Sequence, residues 1–213
     1  MGFWRIYLEN RWHVLVLVVF ILLVGAIAGA GWALTLPEDE LSSLQELLES
    51  FHQSAWQATG AAPAELFRQG VKYDVLRTIG LLYLIGLSWV GAPLILLMIF
   101  ARGFALGFTA AILVTPLSWR GLIVGTAALL PQNLLLVPAV VVAAVASLHF
   151  SWVSLASLLA PRKEWRGEEA EIRRQFLAAT AMVLLAAGMA TLANLVTAYV
   201  TPLLLTVLTG WLA

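Results

Sequence analysis

Residues 121–160 read GLIVGTAALLPQNLLLVPAVVVAAVASLHFSWVSLASLLA, forty positions without a formal charge. One straight α-helix of that length would extend about 60 Å, twice the hydrocarbon thickness of a bilayer. Two prolines supply a way to shorten it. Proline has no backbone donor and its ring clashes with the preceding turn. Pro131-Gln132-Asn133 and Pro138 therefore predict a half-helix over 121–130, a bend at Pro131, and a full span over 134–159. The chain around this segment is of the same kind: 62% hydrophobic, 11% charged, mean hydropathy +0.93 over 213 residues. A soluble domain is about half apolar and about a quarter charged, and one of this size could not hide so much apolar surface. The reading is an all-α integral membrane protein.

Working outward, residues 14–34 form an uncharged run too long for a typical signal-peptide core, and read as an uncleaved anchor helix. Residues 1–13 mix aromatic rings with Arg5 and Arg11, as suits an interfacial helix. Span 2 is placed at 75–101. Beyond Arg102 comes a short span 3 at 103–118, closed by Ser118-Trp119-Arg120, a polar and aromatic cluster typical of an interface. The broken segment 121–160 holds span 4, a loop covers 161–175, span 5 covers 176–200, and an apolar tail runs over 202–213. The expectation is about five transmembrane helices with a proline-broken or re-entrant segment, in a single polytopic domain.

Lys and Arg collect in cytoplasmic loops. Arg5 and Arg11 precede span 1, and Arg162, Lys163, Arg166, Arg173 and Arg174 crowd the last loop. Glu38, Asp39, Glu40, Glu46 and Glu49 make the loop at 35–74 acidic. A cytoplasmic N-terminus, an extracytoplasmic loop 35–74 and an extracytoplasmic C-terminus follow, with Arg102 and Arg120 at opposite interfaces. In the outer loop, Thr35 reads as an N-cap. Leu41, Leu44, Leu48, Phe51 and Ala55 then recur at helical spacing, with Trp56 close behind. That apolar stripe either packs on the bilayer and the bundle or docks an extracytoplasmic partner.

Chemistry is thinly represented. Twelve basic and twelve acidic residues cancel, so no positive field argues for nucleic acid. The chain has no cysteine, hence no disulfide or thiolate metal site. His13, His52 and His149 lack zinc-site spacing, and Ser88 with His149 is a poor hydrolase pair because nothing orients the histidine. No metal, cofactor or enzymatic activity is expected. Intramembrane polar groups are costly and draw notice: Gln132 and Asn133 could bond backbone groups left open by Pro131 and Pro138, and Asn194 could bond across to a neighbouring helix. Gly25/Gly29, Gly103/Gly107 and Gly121/Gly125 are each spaced by four, which flattens a helix face either for packing within the bundle or for a homodimer seam.

Two longer stretches carry a resemblance. Gly86-Leu87-Ser88-Trp89-Val90-Gly91-Ala92-Pro93 leads into Arg102-Gly103-Phe104-Ala105-Leu106-Gly107-Phe108-Thr109, and Leu129-Leu130-Pro131-Gln132-Asn133-Leu134-Leu135-Leu136-Val137-Pro138-Ala139 follows. Together they resemble the stage II sporulation protein M family, over essentially the whole chain. The resemblance implies a non-enzymatic scaffold in the mother-cell membrane at the sporulation septum. Its implied partners are the wall hydrolases sporulation protein P, of amidase type, and sporulation protein D, of lytic transglycosylase type. These remodel septal peptidoglycan during engulfment. A small-solute or lipid transporter using the proline-broken helices is the alternative.

Overall fold

Hydrocarbon offers the backbone no hydrogen-bond partners, so a chain this apolar satisfies its amides within helices. The computed structural model describes residues 12–37, 39–40, 43, 63–88, 91–114, 119–159 and 168–200. Five long helical elements run through them, and no strand occurs among the described residues. Helix α1 is Trp12–Leu34. Helix α2 is continuous from Pro63–Gly70 through a π-helical stretch, Val71–Ile79, into Gly80–Gly86. Helix α3 is Gly91–Val114, α4 is Trp119–Leu159, and α5 is Glu168–Leu195 prolonged by a π-helical turn, Val196–Val200. Among the described residues, four segments are long and apolar enough to cross a membrane: Trp12–Leu34, Gly91–Ile112, Pro131–Leu155 and Arg173–Val200. Leu23, Ile27, Leu97, Leu134, Leu184 and Leu192 point outward from them, where acyl chains rather than water receive them.

The pairing of α1 with α3 sets the arrangement. A Cβ on Gly25 would meet the Phe100 carbonyl, and one on Gly29 the Phe104 carbonyl. Reciprocally, Gly103 faces the Leu22 carbonyl and Gly107 the Ala26 carbonyl. Both four-spaced glycine pairs thus fill one seam within the chain, backbone against backbone. Contacts advance together along both helices, so α1 and α3 run parallel. The chain between them must therefore recross, and α2 makes that return. Its Leu76 and Leu84 are exposed like the other outward leucines, although its charged residues keep it out of the purely apolar set.

Helix α4 is the central post. Ala139, Val140, Ala143, Ala144, Ala146, Ser147, Leu148 and Ser151 are all buried, around most of its circumference. Opposite it, α5 presents Ala179, Ala186, Ala190 and Ala193, small enough for close approach. At the C-terminal end of α2, Gly86 lies against Ser147, and the Ser151 hydroxyl donates to the Ser88 carbonyl at 2.8 Å. Thr180 donates to the Phe176 carbonyl, so the Tyr83 hydroxyl is the donor in the 2.8 Å bond between them. Phe176 in turn meets the Phe150 ring edge-on at 5.8 Å.

Three expectations need correction. The helix does not end at Pro131: α4 passes through Pro131 and Pro138, as membrane helices allow when surrounding protein restores the freed backbone groups. Gln132 and Asn133 are half-buried on that unbroken helix. Spans 2 and 3 are not divided at Arg102: α2 ends at Gly86, α3 begins at Gly91, and Arg102 is in the middle of α3. Thr35 closes α1 rather than opening the next helix, since its hydroxyl donates to the Trp32 carbonyl at 2.8 Å.

Glycine at the α1–α3 seam is required by contact, whereas a Cβ on Gly31 would have open space around it. Gly107→Leu is expected to lower stability in detergent by about 2–3 kcal/mol or prevent folding, as overpacking does. Gly31→Leu should stay within about 0.5 kcal/mol of the parent. Thermal unfolding of both variants checks this. Equal effects would dissolve the distinction between the two glycines.

Candidate functional site: a charged cluster at mid-membrane depth

The α2–α3 hairpin turns near Ser88, and Asp74 and Arg102 stand fourteen residues to either side of it. Antiparallel packing brings them level. Arg102 Nη2 lies 3.6 Å from Asp74 Oδ1, an ion pair too long for a hydrogen bond, and Asp74 retains only 6% of its surface. Because Gly103 abuts Leu22, halfway along the 23-residue α1, the pair sits at the middle of the bilayer rather than at either edge.

A third helix completes the cluster. Asn194 of α5 is buried, its side chain lying against α2 close to the Asp74 carboxylate. Its amide nitrogen donates to the Ala190 carbonyl at 2.9 Å. Gly70, one turn before Asp74, leaves room for this: a Cβ there would overlap Asn194 Oδ1. Arg102 keeps about a quarter of its side-chain surface, while its Nε is buried without a hydrogen-bond partner.

Backbone geometry is unusual on both sides. Within α2 the Gly80 amide bonds the Val75 carbonyl and the Thr78 hydroxyl bonds the Tyr73 carbonyl, each five residues back. Asn194 lies two residues before the start of the second π-helical turn. Wide turns of this sort gather where a helix must present a side chain that regular winding would misplace. The arrangement carries a carboxylate, a guanidinium and an amide on three helices, and it joins those helices electrostatically. Among the described residues no group of three metal-ligating side chains occurs.

Of the residues singled out from sequence, Gly103 and Gly107 lie on α3 against α1, and Pro131, Gln132, Asn133 and Pro138 lie along α4. Leu41, Leu44, Leu48, Phe51 and Trp56 fall outside the described residues, as do positions 1–11 and 201–213. Asn194 packs across against Gly70 of α2, while its amide nitrogen bonds the Ala190 carbonyl of its own helix. Arg102 was expected at an interface and Asp74 at the end of the outer loop, yet they meet in the interior. Their equal distance from the Ser88 turn was the signal available for pairing them.

Fold and site together define a polytopic α-helical membrane protein with an intramembrane ion pair. The family model for stage II sporulation protein M matches residues 16–202. The chain belongs to that family, and is a sporulation-related membrane protein. No curated protein and no solved structure gives a significant match.

Removing one member of a buried ion pair leaves the other uncompensated, at about 3–5 kcal/mol, whereas replacing both with apolar groups is often close to neutral. Arg102→Met should therefore destabilise the protein in detergent by about that amount. Asp74→Leu combined with Arg102→Met should recover most of it. Thermal unfolding of the single and double variants measures the coupling, and a double variant no more stable than Arg102→Met would refute it.

Proposed function

We propose that the protein is a non-enzymatic membrane scaffold. In this reading it recruits and holds the amidase-type and transglycosylase-type wall hydrolases, sporulation proteins P and D, at the sporulation septum. It lies on the mother-cell side, with its N-terminus cytoplasmic and its C-terminus extracytoplasmic. The observation that carries the reading is the filled interior of the bundle. Side chains from Ala139 to Leu148 close the centre, and the Asp74–Arg102–Asn194 cluster is engaged in joining helices rather than in lining a passage.

Two features support the orientation. Helix α5 begins after a loop rich in Arg and Lys, at Arg162, Lys163 and Arg166, which favours the cytoplasm. With α1 and α3 parallel and α2 returning between them, the same orientation assigns residues 35–62 to the outside in this reading. This acidic and apolar segment is tied at both ends to bundle helices, α1 before it and α2 after it. Such attachment suits a surface that must be presented at a fixed height above the membrane. Transport drew its support from interrupted helices, and α4 is continuous through both prolines.

Alanine at Leu44, Leu48, Phe51 and Trp56 together is expected to leave the protein inserted at the septum while abolishing recovery of both hydrolases in a pull-down from sporulating cells. Normal recovery with the quadruple variant would place the docking surface elsewhere. Failure of the parent protein to recover either hydrolase would remove the scaffold reading itself.

A further inference from the structure

We propose that the outward stripe of α2 built from Tyr73, Leu76, Arg77, Leu81 and Leu84 docks a partner transmembrane helix that carries a carboxylate near its middle. All five side chains are exposed on the surface of the bundle, Tyr73 at 60% and Leu76 at 68%. Arg77 is the unusual member. It lies one turn from Asp74, whose partner Arg102 is level with the centre of α1, so its Cα is near mid-bilayer depth. Its guanidinium sits over the Tyr73 ring, 4.9 Å from the centroid, and Nη1 donates to the Tyr73 hydroxyl at 3.2 Å. Both contacts hold the cation in place, and neither neutralises it.

A lipid-facing arginine at this depth is costly, and intramembrane charges ordinarily face protein or water and pair. Complementary charge therefore identifies the occupant. Among the described residues Asp74 is the acidic one at the same level, and it is buried against Arg102 and Asn194. A second copy packed symmetrically on this stripe would bring Arg77 against Arg77. A carboxylate-bearing helix pairs with Arg77 while its apolar residues cover Leu76, Leu81 and Leu84. Gly80, half-buried and with open space at its Cβ position apart from the Val75 carbonyl at 3.5 Å, admits a close approach. The inference concerns the intramembrane surface and does not rest on the scaffold reading.

The absence of cysteine gives a clean assay. Leu97→Cys on α3, off the stripe, accepts a fluorescent donor in the full chain reconstituted in phosphatidylcholine–phosphatidylglycerol vesicles. The probes are acceptor-labelled leucine-rich transmembrane peptides with a central Glu, Leu or Lys. The Glu peptide is expected to associate about tenfold more tightly than the Leu peptide. Arg77→Leu should erase that preference, and Arg77→Glu should transfer it to the Lys peptide. Equal association of the Glu and Leu peptides, or a Glu preference that survives Arg77→Leu, would overturn the proposal. So would loss of the preference on raising phosphatidylglycerol, which would assign Arg77 to lipid phosphate. Energy transfer between protein copies that Arg77→Leu strengthens and the Glu peptide leaves untouched would assign the face to self-association instead. Unfolding temperatures of the Arg77 variants, expected to match the parent, separate a lost interface from a lost fold.

Discussion

The backbone seam between α1 and α3 is the contact from which the rest of the architecture follows. With no hydrophobic drive between helices in lipid, association depends on how closely backbones approach. Four glycines allow that approach, each against a carbonyl of the opposite helix. The register of those contacts makes the helices parallel, and two parallel spans in one chain demand a return between them. Helix α2 occupies the return position even though its sequence is the least suited of the five to lipid.

That demand gives the Asp74–Arg102 pair its meaning. A return helix bearing a carboxylate at mid-depth cannot leave it facing acyl chains, and Arg102 across the hairpin supplies the opposite charge. Asn194 and the absent side chain of Gly70 extend the solution to α5. The cluster therefore fastens the marginal helix to both of its long neighbours. At the other end of α2, Tyr83 with Thr180 and Ser88 with Ser151 do the same through neutral hydrogen bonds. Helix α2 is thus held at its middle and at its C-terminal end.

The interior that results is closed and rich in alanine. In the proposed reading function is carried by surfaces, with residues 35–62 and the outward face of α2 as the two attached to the bundle. Of the buried polar side chains, Asp74 pairs with Arg102 of α3, and the Ser151 hydroxyl bonds the Ser88 carbonyl.

Composition and uncharged run lengths were sufficient for the helical membrane class and for α1 and α5, because burial in lipid is a property of whole segments. Four-spaced glycines marked close packing, and the motifs around Gly86–Thr109 and Pro131 pointed to the family that the chain proved to match. Charges and prolines misled where they were treated as boundaries. Arg102 divided a helix on paper because an isolated cation reads as an interface, and Pro131 ended one because its missing donor reads as a stop. Tertiary structure decided both. Asp74 supplies from another helix the charge that lets Arg102 stay inside, and packing around α4 accommodates the prolines within a continuous helix. A sequence specifies what each segment costs alone in lipid, but the compensation comes from residues distant in the chain, and only the folded bundle determines which of them meet.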